Sequence, residues 1–185
     1  MKFAYADPPY LGCCKLYNHY HPDGLCWDDL TTHKLLIARL VFDYPDGWAL
    51  SASSSSLSQL LPLCPDGVRI GAWVKPFASF KPGVRPAYTW EPVIFWRGRN
   101  PPAGYKADRS QPTPRDFVSC NITLKKGLTG AKPELVCEWI LDFLNYQPGD
   151  EVDDLFPGTG VMGVVVRRQL IASNDHERLT HAKAA

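Results

Sequence analysis

With 185 residues, 45% of them hydrophobic and 21% charged, the chain has the length and composition of one globular domain with a full core. A net charge of +1 excludes a polycation, so any nucleic-acid contact needs a local patch. No apolar run is long enough for a membrane span and no signal-peptide core opens the chain, so a cytoplasmic protein without membrane contact is expected.

Met1 to Ala6 reads as a short apolar strand that ends in Asp7-Pro8-Pro9-Tyr10. An acid at a strand tip is exposed, and the two prolines fix φ and remove backbone donors, leaving nearby carbonyls free to accept hydrogen bonds. Tyr10 adds a flat face. This arrangement suits gripping a planar group that carries an amino substituent, whereas the plain alternative is a turn. Residues 11–27 read as a polar, aromatic-rich loop. It holds Cys13, Cys14, His19, His21 and Cys26, which are zinc-ligand types. The adjacent cysteines do not form a Cys-x-x-Cys knuckle and no second pair follows, so no metal site is expected and the six cysteines read as free thiols.

Asp28 or Asp29 caps a predicted helix to about Phe42, with Leu36 and Leu40, and Ile37 and Val41, stacked four apart. A turn at 44–47 leads to a strand, Trp48 to Ala52, and a serine run then caps a helix through Leu57, Leu60 and Leu61. Val68 to Val74 reads as a strand. The proline-rich stretch from Lys75 to Tyr88 reads as an ordered loop with aromatic and basic side chains. Trp90 to Trp96 is a further strand, whose Pro92 suggests an edge or a bulge. The alternation of strand and helix indicates a layered α/β sheet.

Residues 97–130 form a basic, proline-rich insert. Arg97, Arg99, Lys106, Arg109, Arg115, Lys125 and Lys126 stand against only Asp108 and Asp116. Such a segment is either a solvated loop or one that touches phosphates. A helix opens at Lys132-Pro133, with Val136, Ile140, Phe143 and Leu144 on one face. The strand Glu151 to Phe156 follows, then Pro157-Gly158-Thr159-Gly160-Val161-Met162-Gly163 and a helix to about Gln169. Leu170 to Ser173 reads as a last short strand, and the tail from about Arg178 as frayed helix or disorder. No internal repeat is present.

The spacing Gly158-x-Gly160-x-x-Gly163 between a strand and a helix fits a dinucleotide fingerprint. The roughly twenty residues that follow are too few for the rest of a dinucleotide-binding half, which argues against a nicotinamide-dependent oxidoreductase.

Asp7-Pro8-Pro9-Tyr10, the Lys132-Pro133 helix start and Asp154-Leu155-Phe156-Pro157-Gly158-Thr159-Gly160 together resemble the amino-methyltransferases that use S-adenosylmethionine and act on exocyclic nitrogens of nucleic-acid bases. The motif order is that of the permuted β-type, with the catalytic motif first, and Trp73 to Phe95 resembles a stretch of small bacterial and phage adenine methyltransferases. The resemblance implies a single Rossmann-like α/β domain over 1–185, with a mostly parallel twisted sheet and helices on both faces.

The resemblance also implies site roles. Asp7, Pro8, Pro9 and Tyr10 would be catalytic. Ala6, Asp7, Lys132, Asp154, Leu155, Phe156, Gly158, Thr159 and Gly160 would hold S-adenosylmethionine, with Lys132 facing its carboxylate. Asp175, or alternatively Glu177, would hold its ribose. Arg97, Arg99, Lys106, Arg109, Arg115, Lys125 and Lys126 would contact nucleic acid, DNA being favoured over RNA. Asp at the first motif position implies adenine N6 as the target. Cytosine N4, RNA adenine, or a binding module without turnover are the alternatives, and a homodimer or a specificity partner is left open. The chain departs from the family pattern in having no clear ribose acid and no separate target-recognition domain.

Overall fold

Lys2–Ala6 (β1) buries its last four residues, because both faces of this strand are covered. Phe3 and Tyr5 point into one apolar cluster, Ala4 and Ala6 into another. A near-continuous apolar run is what a parallel strand between two helical layers requires. The computed structural model describes residues 1–17, 24–77, 83–106, 113–122 and 131–184.

Around β1 the chain builds a six-stranded sheet from Gly47–Ser51 (β2), Arg69–Val74 (β3), Trp90–Arg97 (β4), Phe117–Ser119 (β5) and Glu151–Asp154 (β6). The order is β5-β3-β4-β2-β1-β6. β1 runs parallel to β2 and β6, and β3 parallel to β5, while β4 is antiparallel to both its neighbours. Five strands therefore point one way and β4 the other.

Leu30–Asp43 (α1) and the one-turn helix Leu57–Leu60 (α2) cover one face. There Leu36, Ile37, Leu40 and Leu60 pack on Trp48, Leu50, Ile94 and Trp96. Asp29 caps α1 by accepting from the Thr31 N–H at 2.8 Å, the role expected of an aspartate there. Pro62 lies in the 3-10 turn that follows α2. Glu134–Phe143 (α3) and Val161–Ala184 (α4) cover the opposite face. Val136, Trp139, Ile140, Met162 and Val165 pack there on Phe3, Tyr5, Val93 and Phe95. Gly71 lets Trp139 approach the sheet: a Cβ at that position would lie 2.6 Å from the indole ring.

Three expectations are corrected. Pro92 lies neither at an edge nor in a bulge, since β4 is interior and its register with β3 is continuous through Ala72 and Pro92. The Pro92 carbonyl accepts from Ala52, just past the end of β2 at Ser51. In an antiparallel pair a residue's N and C=O face the same side, so the missing donor points where β2 has run out. The expected strand at 170–173 is helix, part of α4. Leu170 and Ile171 are exposed, and no glycine or proline interrupts the chain after Gly163. β5 lies inside the segment read as a loop, where three residues are too few to show a period.

Candidate active site

Asp7 stands where β1 ends, and Tyr5 pairs across to Asp154 at the end of β6. The helices after these two adjacent parallel strands leave to opposite faces, α1 to one and α4 to the other. Such a divergence opens a crevice at the carboxyl ends of the strands, the position where α/β sheets bind ligands. The Asp-Pro-Pro-Tyr stretch and the glycine turn are therefore brought to one place from opposite ends of the chain.

Lys132, just before α3, reaches into the same crevice. Its Nζ donates to both carboxylate oxygens of Asp7 at 2.7 Å and to the Tyr10 hydroxyl at 3.1 Å. The Tyr10 hydroxyl donates to Glu91 Oε2 at 2.8 Å and lies 3.2 Å from Asp7 Oδ1. Glu91 is paired with Lys75, and its Oε2 lies 3.6 Å from Lys132 Nζ. The Trp73 ring lies beneath both ammonium groups, 4.6 Å from that of Lys75 and 5.8 Å from that of Lys132. Two cations and two anions thus neutralise one another in a partly buried cluster.

Burial alone would push the Lys132 ammonium down, but Asp7 and Glu91 outweigh it and hold the group charged. Burial pushes the Glu91 carboxyl up, and Lys132 and Lys75 more than reverse this, so Glu91 stays ionised. The Tyr10 phenol is raised well above its usual range by burial and by Asp7 and Glu91, so it remains a neutral donor. Asp154 is pushed up to about 6, chiefly by burial and further by Asp7, although the Phe156 N–H that it accepts opposes the shift.

The turn after β6 uses positive φ at Gly158 (+48°) and Gly160 (+73°), the left-handed region that glycine enters without penalty. A Cβ at Gly160 would meet nothing within 4 Å, so the space beside the turn is open. Phe156 packs edge-on against Trp27, with ring centroids 5.1 Å apart.

Other expected site residues are not brought here. Asp175 is exposed on α4, about 20 Å along the helix axis from the glycine turn. Asp175 therefore lies well along a helix that leads away from the crevice. The Glu177 side chain lies outside the described residues. Arg97 pairs with Gly47 at the amino end of β2, the opposite end of the sheet from Asp7. Its guanidinium donates to the Pro45 carbonyl and lies 4.1 Å from the Trp96 ring centroid. Arg99 is bound to both oxygens of Asp150, at 2.7 and 2.6 Å, and to the Asn145 carbonyl. Both arginines make contacts within the protein at the end of the sheet away from Asp7. The Arg115 guanidinium lies over the Phe117 ring and Lys106 is exposed, while Arg109, Lys125 and Lys126 lie outside the described residues.

Trp73 is buried, whereas Phe77 and Tyr88, on the loop between β3 and β4 at the Asp7 end, are exposed. Of the weighed cysteine and histidine cluster, His19 and His21 lie outside the described residues, and no group of three or more metal-ligand side chains occurs among the described ones. Lys75 and Glu91 were not singled out from the sequence. Glu91 left a signal, because an acid between Trp90 and a run of buried apolar residues is costly unless it is paired.

No protein-family model and no curated protein matches the sequence. Solved structures do resemble it. The PvuII DNA methyltransferase (cytosine-N4-specific) superposes with a TM-score of 0.58 at 17% identity, over 91% of this chain and 72% of that one. The M1.HpyAVI–SAM complex gives 0.55 at 18% identity, over 91% and 78%. The likeness at this level of identity is one of fold: the chain has the α/β architecture found in these DNA methyltransferases.

Proposed function

We propose that the chain transfers a methyl group from S-adenosylmethionine to the exocyclic N6 of adenine in DNA. The observation that supports this most is the convergence of Asp7 and Tyr10 with Lys132 and the Gly158–Gly160 turn in one crevice. The residues fit the cofactor: an open glycine turn admits close backbone approach, and Asp154 is a half-buried acceptor beside the turn. When bound, S-adenosylmethionine supplies an electrophilic methyl group.

The chain's own residues prepare the other reactant. An aromatic amine is a poor nucleophile because its lone pair is delocalised. The Asp7 carboxylate and the Pro8 carbonyl accept its two hydrogens and draw the nitrogen toward tetrahedral geometry. The same acceptors stabilise the positive charge that develops on nitrogen, and the proton it sheds departs by way of Asp7. Tyr10 stacks on the base, which leaves the duplex to enter the crevice. The exposed Arg85 and Tyr88, just before β4, and Trp90, its first residue, lie at the Asp7 end of the sheet, where they could meet the strand.

The fold likeness to a cytosine-N4-specific enzyme keeps that amine as the second reading. Both are tested with labelled S-adenosylmethionine on single-stranded DNA, duplex DNA and RNA in parallel. Label in a DNA adenine supports the proposal, label in cytosine supports the second reading, and tight cofactor binding without label in any polymer overturns both.

A further inference from the structure

Lys132 has three N–H donors, and all three are spent: two on Asp7 and one on Tyr10. On the reading just given, Asp7 must also accept one hydrogen of the incoming amine. The ammonium already occupies both oxygens of the carboxylate that the amine must reach, so the two share one acceptor, and a shift of Lys132 off Asp7 frees lone pairs for the amine. A lysine whose side chain is only 8% exposed cannot release its counter-charge without a large cost, unless a second anion stands ready.

Glu91 is that anion. Its Oε2 lies 3.6 Å from Lys132 Nζ, outside a direct hydrogen bond but within one small rotation of the lysine's end. It is already oriented, because it accepts from the Tyr10 hydroxyl and is held by Lys75 from the other side. The groups that face Lys132 are Asp7, Glu91, Tyr10, Tyr17 and Cys137, with the Trp73 ring beneath; of these, Asp7 and Glu91 are the carboxylates.

We propose that Glu91 is a positioning residue, the second carboxylate that receives Lys132 when the substrate amine takes Asp7. Resting on the amino-methyltransferase reading, it assigns Glu91 and Lys75 to a site in which neither had a role. Lys75 holds the receiving carboxylate in place, and Tyr10 couples its position to the ring on which the base stacks. The cluster stays neutral throughout, since only the partner of one ammonium changes.

The test compares Glu91→Gln with wild type in single-turnover methyl transfer to DNA, from neutral to alkaline pH. Glutamine keeps an acceptor for the Tyr10 hydroxyl and removes the charge. With no second anion, Lys132 stays on Asp7, and the rate at neutral pH should fall about tenfold, as for coupled neighbours. Losing one of its two carboxylates also lets burial lower the Lys132 pKa. The deficit should therefore shrink as pH rises, because a neutral amine no longer grips Asp7. A merely structural role would lower the rate by the same factor at every pH. A rate equal to wild type, or a deficit independent of pH, overturns the role of Glu91 while leaving the reaction standing. Absence of methyl transfer in wild type overturns the reaction and this inference together.

Discussion

Lys132 and Asp7, 125 residues apart in sequence, form a two-point ion pair with both N···O distances at 2.7 Å. The contact joins the loop before α3 to the tip of β1, so the cation and the carboxylate assigned to chemistry are one structural unit. It follows that the two residues should not behave as independent sites under mutation.

Asp7→Ala removes the acceptor for the amine. We expect the rate of methyl transfer to fall at least about 100-fold, the scale seen when one preorganised electrostatic group is lost from an active site. S-adenosylmethionine binding, followed by calorimetry, should weaken by much less than the rate falls. Full activity in this variant would remove Asp7 from the mechanism.

Gly160→Val places a β-branched residue at φ +73°. The conformational penalty is about 1–2 kcal/mol or more, and the new side chain fills the open space beside the turn. Thermal unfolding should show a modest loss of stability, whereas calorimetry should show cofactor binding abolished. Intact binding would place the cofactor elsewhere.

Asp154 is held near pKa 6 by burial and by Asp7, above its unfolded value. A carboxyl raised on folding favours the native state when protonated, and that contribution is lost as pH rises through about 6. Asp154→Asn should therefore stabilise the protein above that pH, by about 1 kcal/mol after allowance for solvent screening, with the gain fading in acid. The same variant should bind S-adenosylmethionine more weakly. Melting temperatures across pH, with and without cofactor, check both halves.

Arg99 and the N-terminal amine hold the Asp150 carboxyl below its usual range, against the upward push of burial. The stability this pair contributes is present above the unfolded carboxylate pKa and disappears as pH falls through the lower folded value. Arg99→Ala should cost about 1–3 kcal/mol at neutral pH and progressively less in acid, measured by denaturant unfolding. DNA affinity and its salt dependence should be unchanged, because Arg99 lies at the far end of the sheet.

The parts of this site that were legible in sequence carry their chemistry locally. Asp7-Pro8-Pro9-Tyr10 and the glycine turn announce backbone geometry through proline and glycine, and Asp29 announces a cap. The Lys75–Glu91–Tyr10 cluster depends on strands 4 and 3 meeting in one register, which no local pattern reveals. The apolar run Leu170-Ile171-Ala172 is too short to separate strand from helix by period. The positive charge of 97–126 was visible, but whether Arg99 is solvated or bound depends on Asp150, 51 residues away, which only the fold brings near.

Whether this crevice methylates an adenine amine is read from mass spectrometry of nucleosides. DNA would be incubated with the purified wild-type protein and S-adenosylmethionine, then digested. N6-methyldeoxyadenosine is expected in wild-type reactions and none with Asp7→Ala. Bound cofactor with only unmodified nucleosides recovered would contradict it.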